Sequence, residues 1–165
     1  MSVNKRQTRR SLLKASAIGM AISVTGCLSD GTDSWESSET LAVQRATQYQ
    51  SPNCSCCDVY VGYLQDHLEG EVDVTISEDI GSIKRRYNIP RDLQSCHTVM
   101  IDGYVVEGHM PVSVIAALLD DEPGIKGIAL PEMPAGSPGM GGEKRETWTV
   151  YEFQSETEIA VYAEL

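Results

Sequence analysis

Hydrophobic side chains between residues 41 and 119 recur at two spacings, one typical of strands and one typical of helices. From Cys57 onward they recur on one face, which predicts a first helix just after a strand-to-helix junction. Residues 72–76 alternate as a strand, and Ser77 is a candidate cap for a second helix. A third helix is predicted to begin at Pro111, because the fixed φ of proline suits a first turn.

The rest of the pattern predicts strands and turns. Residues 41–47 read as a strand before the first helix, and Asp102-Gly103 between two apolar runs indicates a tight hairpin. Residues 123–146 are rich in Gly and Pro and predict a loop, which is followed by short strands near 147–153 and 158–162. The order βαβα, hairpin, α favours a single α/β domain, a thioredoxin-like mixed sheet with flanking helices.

The first 26 residues indicate an export signal and not a part of the fold. Arg9-Arg10, followed by Ser-Leu-Leu-Lys, resembles the twin-arginine signal. The weakly apolar stretch after it is too short for a transmembrane helix, which needs about 20 apolar residues. This stretch ends in Val-Thr-Gly-Cys at Cys27, which resembles the lipobox of a lipoprotein signal peptide.

A lipid on Cys27 would anchor the protein to the outer face of the cytoplasmic membrane, so we expect an extracytoplasmic protein. Residues 27–40 are polar and predict a flexible tether, and residues 41–165 then form the working domain. The alternative is an uncleaved anchor with an incidental cysteine. The two signals lie at the spacing expected of a lipoprotein precursor, which favours lipidation.

Charge is distributed unevenly along the chain. From Cys27 onward there are eight basic and 24 acidic residues, since the other five basic residues all lie in the predicted signal. A negative field of this size repels nucleic acid, so nucleic-acid partners are excluded. The acidic composition resembles the salt-adapted surfaces of extreme halophiles.

Four cysteines remain in the predicted domain, and three of them, Cys54, Cys56 and Cys57, lie within four residues. Structural disulfides usually close large loops, which three clustered cysteines and one distant Cys96 cannot do. Cys54 and Cys57 form a C-x-x-C pair where a helix begins, and a helix amino terminus stabilises thiolates. A redox disulfide is the alternative, but a third thiol invites wrong pairing.

Soft donor residues recur later in the chain. In a thioredoxin-like fold, Cys96 and His97 occupy the position beside the first helix where a cis-proline usually lies. His109 follows the hairpin, and Met133 and Met140 lie in a loop of small residues. Thioether, thiolate and imidazole together favour Cu(I), because zinc would leave the methionines without a role.

These motifs resemble the exported CopG-type copper-resistance proteins, thioredoxin-like metal-binding proteins long described as a domain of unknown function. The resemblance covers about residues 44–142. It implies a cysteine-bridged multinuclear copper site with the four thiolates as cluster ligands and His and Met residues nearby. The residues that this implies as metal ligands are Cys54, Cys56, Cys57, Cys96, His97, His109, Met133 and Met140.

The sequence therefore predicts a copper-binding lipoprotein for copper tolerance, by sequestration or redox handling, and a metal-binding protein more than an enzyme. Its expected partners are copper ions, the membrane through Cys27, and a copper exporter or oxidase. Two alternatives stay open. One is a thiol–disulfide oxidoreductase that uses Cys54 and Cys57, and the other is a structural zinc-binding lipoprotein.

Overall fold

The structure of the protein is a computed structural model that describes residues 40–165. The described residues do not include the predicted signal peptide (1–26). They also leave out residues 27–39, which contain Cys27 and all but the last residue of the predicted tether (27–40). Within residues 40–165, no helix has the length and hydrophobicity needed to cross a membrane.

The described residues contain seven strands and three α-helices. The strands are β1 (Arg45–Gln50), β2 (Glu71–Ile76), β3 (His97–Ile101), β4 (Tyr104–Glu107), β5 (Gly127–Ala129), β6 (Thr149–Phe153) and β7 (Ile159–Glu164). The helices are α1 (Ser55–His67), α2 (Ile80–Arg86) and α3 (Val112–Asp121), and a short 3-10 turn spans Arg91–Leu93.

All seven strands form one mixed sheet in the order β2-β1-β3-β4-β5-β6-β7. Strand β1 is parallel to β2 and antiparallel to β3, and β3 and β4 form an antiparallel hairpin. These four strands with the three helices confirm the predicted thioredoxin-like fold. Strands β5, β6 and β7 extend the sheet beyond it, with β5 parallel to β4.

The strand register brings three chain segments to one edge of the sheet. Gln50, the last residue of β1, pairs with His97, the first residue of β3. Thr98 pairs with Glu107, the last residue of β4. The loop into α1, the start of β3 and the end of β4 therefore meet at this edge, and a functional site can be built from all three.

The hairpin turn confirms the prediction from Asp102-Gly103. Both residues have positive φ, 45° for Asp102 and 87° for Gly103, as a type I′ turn requires. Because the turn is so tight, the segment that carries Cys96 and the segment that carries His109 are held side by side.

Several element boundaries differ from the prediction. Strand β1 spans Arg45–Gln50, not 41–47, because two glutamines near its end are buried in a strand instead of forming a loop. Strand β5 was not predicted, since its three residues lie inside the Gly- and Pro-rich region. The second helix is capped by Asp79, whose carboxylate accepts from the Ser82 amide at 2.9 Å, and not by Ser77.

Candidate metal centre

Three thiols lie at the amino terminus of α1. Cys54 is the residue before the helix, and Cys56 and Cys57 lie in its first turn. Cys57 is fully buried, whereas Cys54 and Cys56 are partly exposed. The aligned peptide dipoles and the unpaired N–H groups of the first turn favour negative charge here, so the position suits thiolates.

The fourth thiol, Cys96, comes from the residue just before β3. Its Sγ lies 3.4 Å from the Sγ of Cys57 and 3.8 Å from that of Cys56. The Sγ atoms of Cys54 and Cys56 are 3.6 Å apart, and all four sulfurs lie within 4.8 Å of one another. The cysteines that are dispersed over 43 positions of the chain thus form one cluster, which we call the four-sulfur cluster.

The cluster contains one disulfide, between Cys54 and Cys57. Cys56 and Cys96 are reduced thiols, both partly exposed. Burial, followed by the neighbouring Cys56 thiol, raises the pKa of Cys96 to about 12. In this form Cys96 is therefore protonated at neutral pH, and a bound cation would be needed to favour its thiolate.

Two buried imidazoles adjoin Cys96. The Nδ1 atom of His97 lies 3.4 Å from Cys96 Sγ, and the Nε2 atom of His109 lies 3.6 Å from the same sulfur. Both histidines are fully buried. Burial lowers the pKa of His109, and it lowers the pKa of His97 further, with His109 and Lys84 as additional causes. Both rings are neutral at pH 7 and can offer a lone pair.

A backbone hydrogen bond orients His109. Its Nδ1 donates to the carbonyl of Pro138 at 2.7 Å, so its Nε2 carries the lone pair that faces Cys96. Metal-binding histidines are commonly oriented by such a bond on the second ring nitrogen. Pro138 belongs to the loop between β5 and β6, and that loop was singled out in the sequence for its methionines.

The same loop packs on the first turns of α1. A Cβ added to Gly139, whose φ is 81°, would lie 3.3 Å from the Tyr60 amide nitrogen and 3.4 Å from His109 Nδ1. Met140 follows Gly139, and Met133 lies earlier in the loop; both are partly buried. The contact of this loop with the centre is made by Pro138 and Gly139, and the ligand roles of the two methionines stay predictions.

A buried ion pair lies behind the Cys96 segment. Lys84 and Glu107 form this pair, with side chains only 3% and 0% exposed. Glu107 Oε1 also accepts from the Ser95 amide at 2.6 Å, and its Oε2 accepts from the Thr98 hydroxyl at 2.6 Å. We call these residues, Lys84, Glu107, Ser95 and Thr98, the hairpin clamp, because they bracket Cys96 and His97 on both sides.

A run of basic residues such as Lys84, Arg85 and Arg86 is typical of the exposed last turn of a helix. The structure confirms the helix position but buries Lys84 against the hairpin. No local pattern marks Lys84 for burial. The position of Glu107 gives a weak indication of a buried ion pair. It lies at the end of an apolar strand, and an acidic residue that is buried there needs a partner.

Two buried glutamines fasten the other side of the centre. Gln48 Nε2 donates to the carbonyl of Cys57 at 3.0 Å and to Gln50 Oε1 at 2.8 Å. Gln50 Nε2 donates to Asp58 Oδ1 at 2.7 Å. These bonds tie the end of β1 to the first turn of α1, and so they fix the thiols relative to the sheet.

The aromatic ring of Tyr60 forms a wall of the centre. Tyr60 is fully buried, and its ring centroid lies 4.7 Å from that of His97 and 5.1 Å from that of His109. Its hydroxyl donates to the carbonyl of Met110 at 2.8 Å. The two imidazoles are therefore packed in place by an aromatic side chain, and no rotamer change is needed to present them to Cys96.

The chemistry of this donor set fits a soft metal ion. Four sulfurs and two neutral imidazoles converge within a few ångströms, and thiolate and imidazole are the ligands of copper and zinc. The same sulfurs can exchange disulfides. The structure thus brings together Cys54, Cys56, Cys57, Cys96, His97 and His109 from the predicted set.

Comparison with known proteins agrees with this description. A family model described as "Protein of unknown function, DUF411" matches residues 93–140. No curated protein matches the sequence significantly. The chain is similar to a solved structure called "Copper resistance protein copG- Form 2", with 31% identity and a TM-score of 0.67. That match covers 76% of this chain and 99% of the other.

A second solved structure, called "Copper resistance protein copG- Form 1", is 32% identical with a TM-score of 0.66. It covers 74% of this chain, and the match spans 98% of its own length. Both relatives are therefore matched over almost their whole length at the level of sequence and fold. These matches confirm the resemblance found in the sequence, and the chain belongs to the CopG copper resistance protein family.

Proposed function

We propose that this protein binds copper as Cu(I) in the four-sulfur cluster and contributes to copper tolerance outside the cytoplasm. The observation that carries the proposal is the convergence of the four sulfurs within 4.8 Å at the amino terminus of α1. Thiolates are soft ligands that bind Cu(I) well. The similarity to two structures named as copper resistance proteins supports copper over other soft metals.

The number of donors supports more than one bound ion. One tetrahedral ion takes four ligands. Here the imidazoles of His97 and His109 lie next to the four sulfurs, so more than four donors are available. Sulfurs that lie 3.4–3.8 Å from one another are close enough to share ions between them. We therefore propose a multinuclear site in the fully reduced protein, with bridging thiolates.

The methionine ligands, the lipid anchor and the exchange partner are proposed from the sequence. Met133 and Met140 are proposed as weaker thioether ligands from the loop that contacts His109. Cys27 is proposed to carry the lipid that holds the domain at the outer face of the cytoplasmic membrane. A copper exporter or oxidase is the proposed exchange partner, and sequestration or redox handling of copper is the proposed role.

An anaerobic Cu(I) titration of the reduced protein tests the proposal, with bound copper measured by native mass spectrometry and metal analysis. The key variant is Cys56→Ser, because a bridging thiolate contacts more than one ion and its loss should lower the number of ions bound. Ser55→Ala is the matched control, since Ser55 is the neighbouring residue in the same turn. Unchanged stoichiometry in Cys56→Ser would contradict a bridging role, and no copper retention in the wild type would overturn the proposal.

A second candidate function, thiol–disulfide exchange, is favoured by one observation, the Cys54–Cys57 disulfide. Against it, Cys56 and Cys96 place their sulfurs 3.6 Å and 3.4 Å from the disulfide sulfurs, where mixed pairs would compete. Insulin reduction in the presence of dithiothreitol separates the two candidates. Rapid reduction by metal-free wild type that is lost in Cys54→Ser would favour the oxidoreductase.

A further inference from the structure

A second donor group overlaps the four-sulfur cluster but does not use its disulfide. Cys96, His97 and His109 present one ligand atom each, and these atoms all lie within 4.8 Å of one another. The disulfide joins Cys54 and Cys57 and removes two sulfurs from metal binding. Neither of these cysteines belongs to the second group, so its donor atoms are intact in the disulfide form.

The distances in this group match the edges of one tetrahedral centre. A metal–sulfur bond of about 2.3 Å and a metal–nitrogen bond of about 2.0 Å place sulfur and nitrogen about 3.5 Å apart at the tetrahedral angle. The observed distances from Cys96 Sγ are 3.4 Å to His97 Nδ1 and 3.6 Å to His109 Nε2. A single ion can therefore contact all three atoms with little movement of the side chains.

Cys56 lies outside this group. Its Sγ is 3.8 Å from Cys96 Sγ, but it does not lie within 4.8 Å of both imidazole nitrogens as well. The group therefore offers one sulfur and two imidazole nitrogens and leaves the fourth tetrahedral position open. This donor set suits Cu(I) or Zn(II).

The supports of this group are independent of the disulfide. The Pro138 carbonyl holds the His109 ring in the orientation that faces Cys96. The hairpin clamp holds the Cys96–His97 segment through Glu107, which accepts from the Ser95 amide. Neither contact involves α1 or its cysteines, so both supports are present whichever redox form the α1 cysteines take.

We propose that the form with the Cys54–Cys57 disulfide keeps a mononuclear site, made of Cys96, His97 and His109, that binds one Cu(I) ion. The inference rests on the proposed function because both use the same pocket. It adds that the redox state of Cys54 and Cys57 sets the number of copper ions bound. The reduced protein holds several copper ions, whereas the disulfide form holds a single ion and is not emptied.

The test uses the full chain with Cys27→Ser, which removes the cysteine outside the described residues. Its disulfide form, verified by mass after alkylation, is titrated anaerobically with Cu(I) against a chromophoric chelator and separately with Co(II) as a spectroscopic probe. We expect one equivalent of Cu(I) to be retained. We also expect the thiolate-to-cobalt charge-transfer band of a tetrahedral site.

Variants assign the ligands. In the disulfide form, Cys96→Ser and His109→Gln should each weaken Cu(I) retention by more than about 100-fold, which exceeds the effect of losing a residue that only orients a ligand. The matched control is His67→Gln, because His67 lies at the carboxyl end of α1 and should leave the ion bound. A Cys54→Ser, Cys57→Ser double variant, kept reduced, mimics the loss of both sulfurs and should also hold one ion.

The outcomes separate this inference from the proposed function. Several ions in the reduced protein but none in the disulfide form would overturn the mononuclear site and leave the proposed function standing. One ion in both forms would support the mononuclear site and contradict the multinuclear cluster. Retention in the disulfide form that survives Cys96→Ser would place the ion elsewhere and overturn the inference.

Discussion

The ammonium nitrogen of Lys84 donates to the backbone carbonyl of His97 at 3.3 Å. Lys84 thus reaches from α2 into the hairpin, where it also pairs with Glu107. The contact fixes the backbone of the residue that carries one imidazole of the centre. A buried ion pair is weak evidence for stability, because desolvation offsets its attraction, but here it sets the position of the segment that carries Cys96 and His97.

We predict that loss of either charge of the hairpin clamp lowers folding stability. Lys84→Met or Glu107→Leu leaves the other charge buried and unpaired, at a cost of about 3–5 kcal/mol. Urea denaturation of the metal-free protein measures this loss. The double variant Lys84→Met, Glu107→Leu removes both charges and should recover most of the stability, as apolar replacements of buried pairs often do.

We predict that the double variant binds copper more weakly even though its stability is recovered, because the clamp also positions the Cys96–His97 segment. The Met/Leu double variant leaves the Ser95 amide without its acceptor, so Cu(I) retention should stay about 10–100-fold weaker. Lys84→Met with Glu107→Gln keeps an acceptor oxygen for Ser95 and should restore retention. Equal retention in the two double variants would show that the clamp serves stability alone.

We predict that Gly139→Ala loosens metal binding. The new Cβ would press on His109 Nδ1, at 3.4 Å, and on the Tyr60 amide, at 3.3 Å. Displacement of the loop breaks the bond from His109 to Pro138, so Cu(I) retention should fall about 10-fold. Gly141→Ala is the matched control, because Gly141 also has positive φ, 65°, but its added Cβ meets nothing within 4 Å. Both variants bear similar backbone strain, and a chelator competition that gave equal losses would contradict the steric explanation.

The two loop methionines are predicted to matter less than the cysteines. A neutral thioether is a weaker ligand than a thiolate, so Met133→Leu with Met140→Leu should speed copper loss to a chelator without changing the number of ions bound. Met100→Leu is a suitable control, since Met100 packs on a separate core cluster with Val105 and Phe153. A drop in stoichiometry in the double variant would assign the methionines a larger role.

Export and anchoring are predicted from the first 27 residues. Arg9→Lys with Arg10→Lys should leave the precursor in the cytoplasm, as fractionation would report. Cys27→Ser should release the domain into the medium, because the lipid would be absent. Membrane attachment of the Cys27→Ser protein that matched the wild type would instead identify the apolar stretch as the anchor.

Hydrophobic periodicity and turn-forming residues predicted the local elements of the fold. The helical face from Cys57 and the turn at Asp102-Gly103 both appear in the structure near their predicted positions. The predicted thioredoxin-like topology placed Cys96 beside the first helix, and the sulfurs of Cys57 and Cys96 are 3.4 Å apart. These features are local, or follow from the topology once the order of elements is known.

The supporting contacts could not be predicted in the same way. Gln48 and Gln50 are polar, so they indicated a loop, but they are buried because each amide donates to a residue in the first turn of α1. Lys84 has the sequence pattern of an exposed helix end, and only its distant partner Glu107 explains its burial. Long-range polar pairing leaves no periodic signal, since each residue depends on a contact far away in the chain.

The tight turn between β3 and β4 also bears on the order in which the parts of the centre form during folding. Cys96 and His109 are 13 residues apart and belong to one hairpin, whereas Cys56 and Cys96 are separated by 40 residues. Loop closure costs more entropy for distant segments, and local contacts form first on the folding pathway. We therefore expect the segments that carry Cys96 and His109 to come together when the hairpin closes. The sulfurs of α1 should join them only when the helix docks on the sheet, so we expect the four-sulfur cluster to be completed late in folding.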